Sequence, residues 1–348
     1  MKQLTKRNMG ITVPASAITE SDVVDVLIAA GFDVSVRSNE RRGVVLFVSR
    51  DGETAAVQVK VRQKTIYEWD ALHLLENAHE RVLVVVPVAS RGLIDAAKRD
   101  RRLGVVSLRD RLLVWDREEI QSPDAILKAH ASEAVPGRRR NPWGRWAIMR
   151  AYILDGEPRS QVELAKETGV TQSAVSKSNK ALDGLVVRSA SGWRATDRLA
   201  LWDRFMAEYV GPGGITTHWY GLDAVADQSH AVVAAGASAG VQVLVSGDSA
   251  ADQLAPWRVP AHAVIYASSG IALSKLGFAQ TTDARATLTF TVPADQTIWA
   301  TAASCSQRTN APTVDPVIAA WDVRRTGGPD ADEAVQRIRD LVLARGGS

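Results

Sequence analysis

The chain has 348 residues, of which 46% are apolar and 23% charged, and its formal net charge is +3. This composition is typical of a folded protein with two or three domains and excludes an intrinsically disordered chain. No run approaches about eighteen consecutive apolar residues, and no signal-peptide core follows the basic N-terminal residues. We therefore expect a cytoplasmic protein without a membrane span. The single cysteine, Cys305, excludes an internal disulfide framework and a cysteine-based zinc site.

The N-terminal third carries alternating helix and strand patterns. These predict a helix at 21–30, strands at 33–37, 44–49 and 55–62, a helix at 66–78, a buried strand at 82–88, a helix at 93–102, and strands at 105–108 and 112–115. The turn at 50–53 joins the second and third strands as a hairpin. The order helix, three strands, helix, strand resembles the PD-(D/E)XK restriction-endonuclease fold, which we assign to residues 1–121.

The third strand contains Gln58-Val59-Lys60, the pattern that carries this resemblance. The resemblance implies chemistry in which carboxylates hold Mg²⁺ and the lysine stabilises the attacked phosphate. Here the preceding strand has no aspartate and Asp51 lies beyond it in the turn, so we favour a degenerate domain over a Mg²⁺-dependent DNA nuclease. A cluster of basic residues surrounds the hairpin: Arg41, Arg42, Lys60, Arg62 and Lys64. This cluster either binds the DNA backbone or is only a solvated surface.

Residues 122–142 predict a linker, because Pro123, Pro136-Gly137 and Asn141-Pro142 interrupt regular structure. Near its end Arg138, Arg139 and Arg140 form a basic stretch that is either a DNA-contacting arm or a solubilising linker. Between positions 135 and 194, eleven Lys or Arg stand against five Asp or Glu. Such a local excess is expected of a module that contacts phosphates, although charge alone fits a solvated surface equally well.

Residues 143–197 predict a winged helix-turn-helix. The first helix spans 143–154 with one apolar face, and a second begins at Ser160, where Glu163 completes a capping box. Gly169 supplies the turn, and Thr171 caps the third helix, whose inner face carries Val175. Strands at 185–188 and 192–196 form the wing.

The outward face of the third helix is polar and basic, as expected of a helix that reads double-stranded DNA in the major groove. The predicted DNA contacts are Thr171, Gln172, Ser173, Ser176, Lys177, Asn179 and Lys180 on this helix, Arg188 and Arg194 on the wing, and Arg138, Arg139 and Arg140 in the arm. The run Gln-Ser-Ala-Val-Ser-Lys at 172–177 resembles the start of recognition helices in bacterial winged-helix regulators. A winged helix that contacts only protein is the alternative.

Four short motifs follow in the C-terminal half: Trp-Tyr-Gly-Leu at 219–222, Val-Ser-Gly-Asp-Ser-Ala-Ala-Asp at 245–252, Val-Pro at 259–260, and Asp-Pro-Val-Ile-Ala-Ala-Trp-Asp at 315–322. With the winged helix, they resemble the AbiEi-like antitoxin family of type IV toxin–antitoxin systems over about residues 143–345. The resemblance implies an α/β domain at 198–348 and a transcriptional repressor. In antitoxin members, that domain opposes a nucleotidyltransferase toxin. The nuclease-like N-terminal third departs from the compact antitoxin arrangement.

Enzyme activity is not expected in the C-terminal half. Gly247-Asp248-Ser249 is similar to a nucleotidyltransferase turn, but the strand at 263–266 contains no carboxylate to hold metal ions. The six histidines lack metal-ligand spacing, so we expect no metal and no cofactor. The sequence thus predicts an α+β multidomain protein with an endonuclease-like α/β domain, a central winged helix-turn-helix and a C-terminal α/β antitoxin-like domain. Its predicted function is DNA-binding regulation, with a toxin or a second copy of the chain as candidate protein partner.

Overall fold

The computed structural model describes residues 18, 20–40, 43–121, 141–306 and 312–344. Within these ranges the chain forms twelve α-helices and three β-sheets, which makes it a mixed α+β protein, as predicted at this coarse level. No helix in the same ranges is long and apolar enough to cross a membrane. Several residues named above lie outside the described part of the chain: Arg41, Arg42, Arg138, Arg139 and Arg140, with most of the predicted linker.

The N-terminal part is a seven-stranded sheet whose strands lie side by side in chain order. They are β1 (Asp33–Glu40), β2 (Gly43–Arg50), β3 (Glu53–Val61), β4 (Arg81–Val86), β5 (Leu103–Ser107), β6 (Leu112–Trp115) and β7 (Glu118–Gln121). The β3–β4 and β4–β5 pairs are parallel and the others antiparallel. Parallel neighbours need a crossover, and α2 (Glu68–Glu76) and α3 (Arg91–Arg99) supply the two crossovers. Helix α1 (Glu20–Ala29) precedes the sheet in the chain. The predicted order of elements is thus confirmed, but β7 was not predicted.

Both faces of the central strand β4 are covered, which is why its sequence is apolar throughout. Val82, Val84 and Val86 belong to the core that contains residues of α2 and α3. Leu83 and Val85 belong to a second core that also contains residues of α1 and of the C-terminal sheet described below. The N-terminal part and the C-terminal sheet therefore share a continuous apolar core.

The central part contains α4 (Trp143–Leu154), α5 (Gln161–Thr168) and α6 (Gln172–Ala181), followed by the hairpin of β8 (Val186–Ser189) and β9 (Gly192–Ala195). These bounds agree with the predicted helices and wing strands to within a residue or two. Next comes α7 (Arg198–Glu208), which packs against α4.

The C-terminal sheet has five strands in the order β11-β12-β14-β10-β13. They are β10 (Ile215–Tyr220), β11 (Val243–Ser246), β12 (Ala263–Ala267), β13 (Ala279–Gln280) and β14 (Leu288–Val292). Only the β12–β14 pair is parallel. The helices are α8 (Val225–Ala239), α9 (Gly247–Leu254), α10 (Thr297–Ser306), α11 (Pro316–Thr326) and α12 (Ala331–Ala344), with short 3₁₀ helices at Leu273–Leu276 and Asp283–Arg285.

Helix α4 is the structural centre of the second half of the chain. The sequence predicted a single apolar face on this helix, and that prediction is wrong: every residue from Trp146 to Ile153 is buried. The reason is tertiary, because α4 contacts α5 and α6 and also α7, α10, α11 and α12. A helix that is enclosed by its neighbours has no face exposed to solvent, so none of its faces needs to be polar.

Arg150 is the one charged residue among these buried positions, and its side chain is fully buried. Its Nε lies 3.1 Å from Oδ2 of Asp315, and its Nη1 lies 3.7 Å from Oδ2 of Asp295. Both contacts are ion pairs that lack hydrogen-bond geometry. Its Nη2 donates to the hydroxyls of Thr297 and Thr301, each at 3.1 Å. Burial alone would lower the pKa of Arg150, but the two carboxylates outweigh it and raise that pKa. We call Arg150, Asp295 and Asp315 the buried ion triad.

Replacing Arg150 with alanine is expected to lower the free energy of unfolding by about 3–5 kcal/mol, because two buried carboxylates lose their counterion. Urea-induced unfolding followed by circular dichroism measures this change. The matched control is Arg204→Ala, which removes a surface ion pair of 2.8 Å to Glu208 and is expected to cost less than about 1 kcal/mol. Equal losses in the two variants would contradict the structural role of the triad.

Candidate nucleic-acid interface

Helices α5 and α6 both begin at hydrogen-bonded caps. Ser160 Oγ accepts from the backbone N–H of Glu163 at 3.2 Å, while Oε2 of Glu163 accepts from the backbone N–H of Ser160 at 2.7 Å. The hydrogen bonds from Ser160 lower the pKa of Glu163. Thr171 caps α6 by accepting from the N–H of Ala174 at 3.2 Å. Between the helices Gly169 has φ of +68°, a left-handed conformation that glycine adopts without strain. The predicted caps and turn are confirmed.

The wing is wider than its two strands. Arg159, just before α5, forms a β-bridge with Trp193 of β9: its N–H donates to the Trp193 carbonyl at 2.9 Å, and the Trp193 N–H donates to the Arg159 carbonyl at 2.8 Å. Next to this bridge Gly192 has φ of +139°, and a Cβ there would lie 2.7 Å from the Arg159 carbonyl. The close approach of the two segments therefore requires glycine at 192. This third segment of the wing was not predicted from the sequence.

The outward face of α6 is polar, as predicted. Six of the seven predicted contact residues on this helix are exposed: Thr171, Gln172, Ser173, Ser176, Lys177 and Lys180. Within α6 itself there is no Asp or Glu, so the two lysines leave the helix with a net positive charge. The helix thus presents hydrogen-bonding groups and positive charge on one surface, which we call the α6 polar face.

Arg188 and Arg194 are both exposed on the wing. In the register of the hairpin, Arg188 pairs with Trp193 and Arg194 pairs with Val187. Directly paired residues of an antiparallel hairpin point to the same face, so the two arginines lie on opposite faces of the ribbon. The wing therefore carries a positive charge on each side.

Asn179 does not belong to the α6 polar face, and the prediction that it faces outward is wrong. It is 3% exposed, and its Oδ1 accepts a hydrogen bond from the Tyr152 hydroxyl at 2.9 Å. Val175, Asn179 and Leu182 follow one another at helical spacing, so position 179 continues the inner stripe of the helix. Burial raises the pKa of Tyr152 to about 12.

The structure does not place Asp51 or Glu53 next to Gln58 and Lys60, the residues of the nuclease-like pattern. Gln58 is buried and Lys60 half-buried on β3, whereas Asp51 is exposed in the hairpin turn. Glu53, where β3 begins, lies five residues before Gln58, which corresponds to roughly 17 Å along the strand. Burial, followed by the charge of Arg62, lowers the pKa of Lys60. Across the described ranges there is no group of three or more His, Cys, Asp or Glu placed to hold a metal ion.

Comparisons of the chain with protein-family models, with curated proteins and with solved structures find no match. Functional assignment therefore depends on the residues and geometry described above.

Replacing Asn179 with alanine is expected to lower the free energy of unfolding by about 1–3 kcal/mol, because the buried Tyr152 hydroxyl loses its acceptor. The neighbouring variant Lys180→Ala removes an exposed side chain and is expected to change stability by less than about 0.5 kcal/mol. Chemical denaturation of the two variants measures the difference. An Asn179→Ala protein as stable as Lys180→Ala would show that position 179 has no structural role.

Proposed function

We propose that this chain is a DNA-binding transcriptional regulator, acting as a repressor, that inserts α6 into the major groove of double-stranded DNA. The α6 polar face is the observation that carries the proposal. Its polar and basic side chains are those that recognise base edges and phosphates, and the second helix of a helix-turn-helix commonly presents such side chains to DNA.

The residues of the α6 polar face differ in the contacts expected of them. Gln172 in the first turn is suited to a bidentate pair of hydrogen bonds with adenine, which reads sequence. Lys177 and Lys180 lie farther along the helix and are suited to phosphates, as are Arg188 and Arg194 on the two sides of the wing. A single winged helix can thus combine base recognition with backbone anchoring.

Binding of a protein at this surface is the competing interpretation. Cores of protein–protein interfaces are enriched in aromatic and other large apolar side chains and depleted in lysine. The exposed residues of α6 include no large apolar side chain, and two of them are lysines. The composition of the α6 polar face therefore favours DNA. Five further points stay predictions: membership of the AbiEi-like family, a toxin partner, a homodimer, the cytoplasmic location and the absence of enzyme activity.

Lys177→Ala is expected to weaken binding to every DNA sequence to a similar degree, because the lost contact is to phosphate. The slope of log K against log salt concentration should become shallower by about 0.9. A salt titration of binding to genomic fragments, including the promoter of the chain's own gene, measures both effects. Lys275→Ala is the control, since Lys275 is exposed in a 3₁₀ helix outside the winged helix. If Lys177→Ala binds like the wild type at all salt concentrations, α6 does not contact the backbone there.

Gln172→Ala is expected to reduce discrimination between the preferred fragment and single-base variants of it by about 1–3 kcal/mol at one position, with little change in the salt slope. Competition binding against a set of such variants measures this loss. Gln336→Ala, an exposed glutamine on α12, serves as the control. Unchanged discrimination by Gln172→Ala would mean that this residue does not read a base.

A further inference from the structure

Three loops meet at one edge of the N-terminal sheet, where the parallel strands β3, β4 and β5 have their carboxyl ends. The loop after β3 contacts the loop after β4, because the hydroxyl of Thr65 donates to the carbonyl of Val88 at 3.3 Å. The loop after β4 contacts the loop after β5, because the N–H of Arg109 donates to the carbonyl of Pro87 at 3.0 Å. We call residues 62–70, 87–91 and 108–111 the carboxyl-edge surface.

Positive charge predominates on the carboxyl-edge surface, which has five Lys or Arg against three Asp or Glu. The five basic residues are Arg62, Lys64, Arg91, Arg109 and Arg111. Lys64, Arg91 and Arg109 are exposed, and none of the three forms an ion pair with another residue in the described ranges. Three cations without a counterion therefore lie on loops that contact one another.

Each acid of the carboxyl-edge surface already has a partner within the protein. Glu68 forms an ion pair with Arg99, which lies near the end of α3. Asp70 accepts a hydrogen bond from the N–H of Tyr67 at 3.0 Å. Asp110 accepts a hydrogen bond from the hydroxyl of Ser107. These three carboxylates therefore leave the charges of Lys64, Arg91 and Arg109 uncompensated.

Two aromatic side chains of the carboxyl-edge surface are largely exposed. Tyr67, which precedes α2, is 62% exposed, and Trp69 in the first turn of α2 is 69% exposed. Side chains of a helix lean towards its N-terminus, so the indole of Trp69 is inclined towards the carboxyl edge of the sheet. Large rings beside uncompensated cations are the combination that proteins use to bind single strands, in which bases stack on rings and phosphates contact cations.

We propose that the carboxyl-edge surface binds single-stranded nucleic acid, independently of the α6 polar face. Bases would stack on Tyr67 and Trp69, and phosphates would contact Lys64, Arg91 and Arg109. The bases of a duplex are stacked on one another, whereas the bases of a single strand can be splayed out onto aromatic rings. The exposed rings therefore favour a single strand over a duplex at this surface.

An acidic segment of another protein is the competing occupant, since arginine and aromatic side chains are also common in protein interfaces. The core of such interfaces is, however, depleted of charged residues. A run of carboxylates would neutralise the cations but would offer the two rings no planar face. A nucleic-acid strand supplies a phosphate and a base at every nucleotide, so it matches both features.

Binding is tested by fluorescence anisotropy of the full chain with a labelled oligothymidylate of about fifteen nucleotides, a length within the usual site size of single-strand binders. We expect a Kd of about 100 μM or tighter. A duplex of the same length and polyglutamate are the competitors, and neither is expected to displace the oligothymidylate at equal concentration of charge. Displacement by either competitor under that condition, or no binding, overturns the proposal.

Trp69→Ala is expected to weaken oligothymidylate binding by about 5- to 150-fold, because one stacking contact is lost. Trp69→Phe keeps a ring and is expected to retain most of the affinity. Leu72→Ala is the matched control, since Leu72 is 43% exposed on the same helix and is expected to leave the affinity unchanged. Equal effects of Trp69→Ala and Leu72→Ala, or equal effects of Trp69→Ala and Trp69→Phe, contradict stacking at this surface.

The phosphate contacts are tested by a triple variant that carries Lys64→Gln, Arg91→Gln and Arg109→Gln. Its slope of log K against log salt concentration should become shallower by about 2, since each phosphate contact on a single strand contributes about 0.7. The control removes the same charge from three exposed residues of the C-terminal half, replaced together by glutamine: Lys275, Arg285 and Arg324. Equal slopes for the two triple variants overturn the proposal.

The two proposed surfaces are separated by exchanging the probes. Trp69→Ala is expected to leave binding of the preferred duplex fragment unchanged, and Lys177→Ala to leave oligothymidylate binding unchanged. Weaker oligothymidylate binding by Lys177→Ala, with no effect of Trp69→Ala, would place the strand on the α6 polar face and overturn this inference. Absence of duplex binding alone would contradict the proposed function, whereas absence of oligothymidylate binding alone would contradict this inference.

Discussion

The buried ion triad is the interaction on which the second half of the chain depends. Removing three charged groups from water costs several kcal/mol per ion, and their mutual attraction offsets that cost only in a narrow range of geometries. Arg150 comes from α4, whereas Asp295 and Asp315 come from the segments that flank α10. We infer that the triad fixes the relative positions of α4 and the two flanking segments more than it adds net stability. Apolar side chains of the same volume would have no desolvation cost.

Helix α4 connects this triad to the α6 polar face. Helix α4 contacts α5 and α6 on one side, and it also contacts α10, α11 and α12. Tyr152 on α4 then positions α6 through Asn179. A chain of buried polar contacts therefore runs from the C-terminal helices through α4 to the helix proposed to read DNA. A winged helix joined to its neighbours by a flexible linker would lack such a connection.

Local signals in the sequence predicted local structure well. Caps at Ser160 and Thr171 and a glycine at 169 define helix ends through interactions within a few residues, so no knowledge of the fold was needed. The orientation of Asn179 depends instead on Tyr152, 27 residues away. The bridge from Arg159 to Trp193 is likewise non-local. A single arginine inside the otherwise apolar run at 146–153 was a usable signal of a buried ion pair, but its partners lie about 150 positions along the chain.

Arg159 shows how the wing is joined to α4 and α5. Strands β8 and β9 have four residues each, and a two-stranded ribbon of that length is marginal in isolation. The segment at Arg159 adds backbone hydrogen bonds to β9, and its guanidinium is in turn held by the end of α4 and by Glu167. Any change in what surrounds that guanidinium therefore acts on the support of the wing. The geometry of the wing therefore depends on contacts from α4 and α5, not on the β8–β9 hairpin alone.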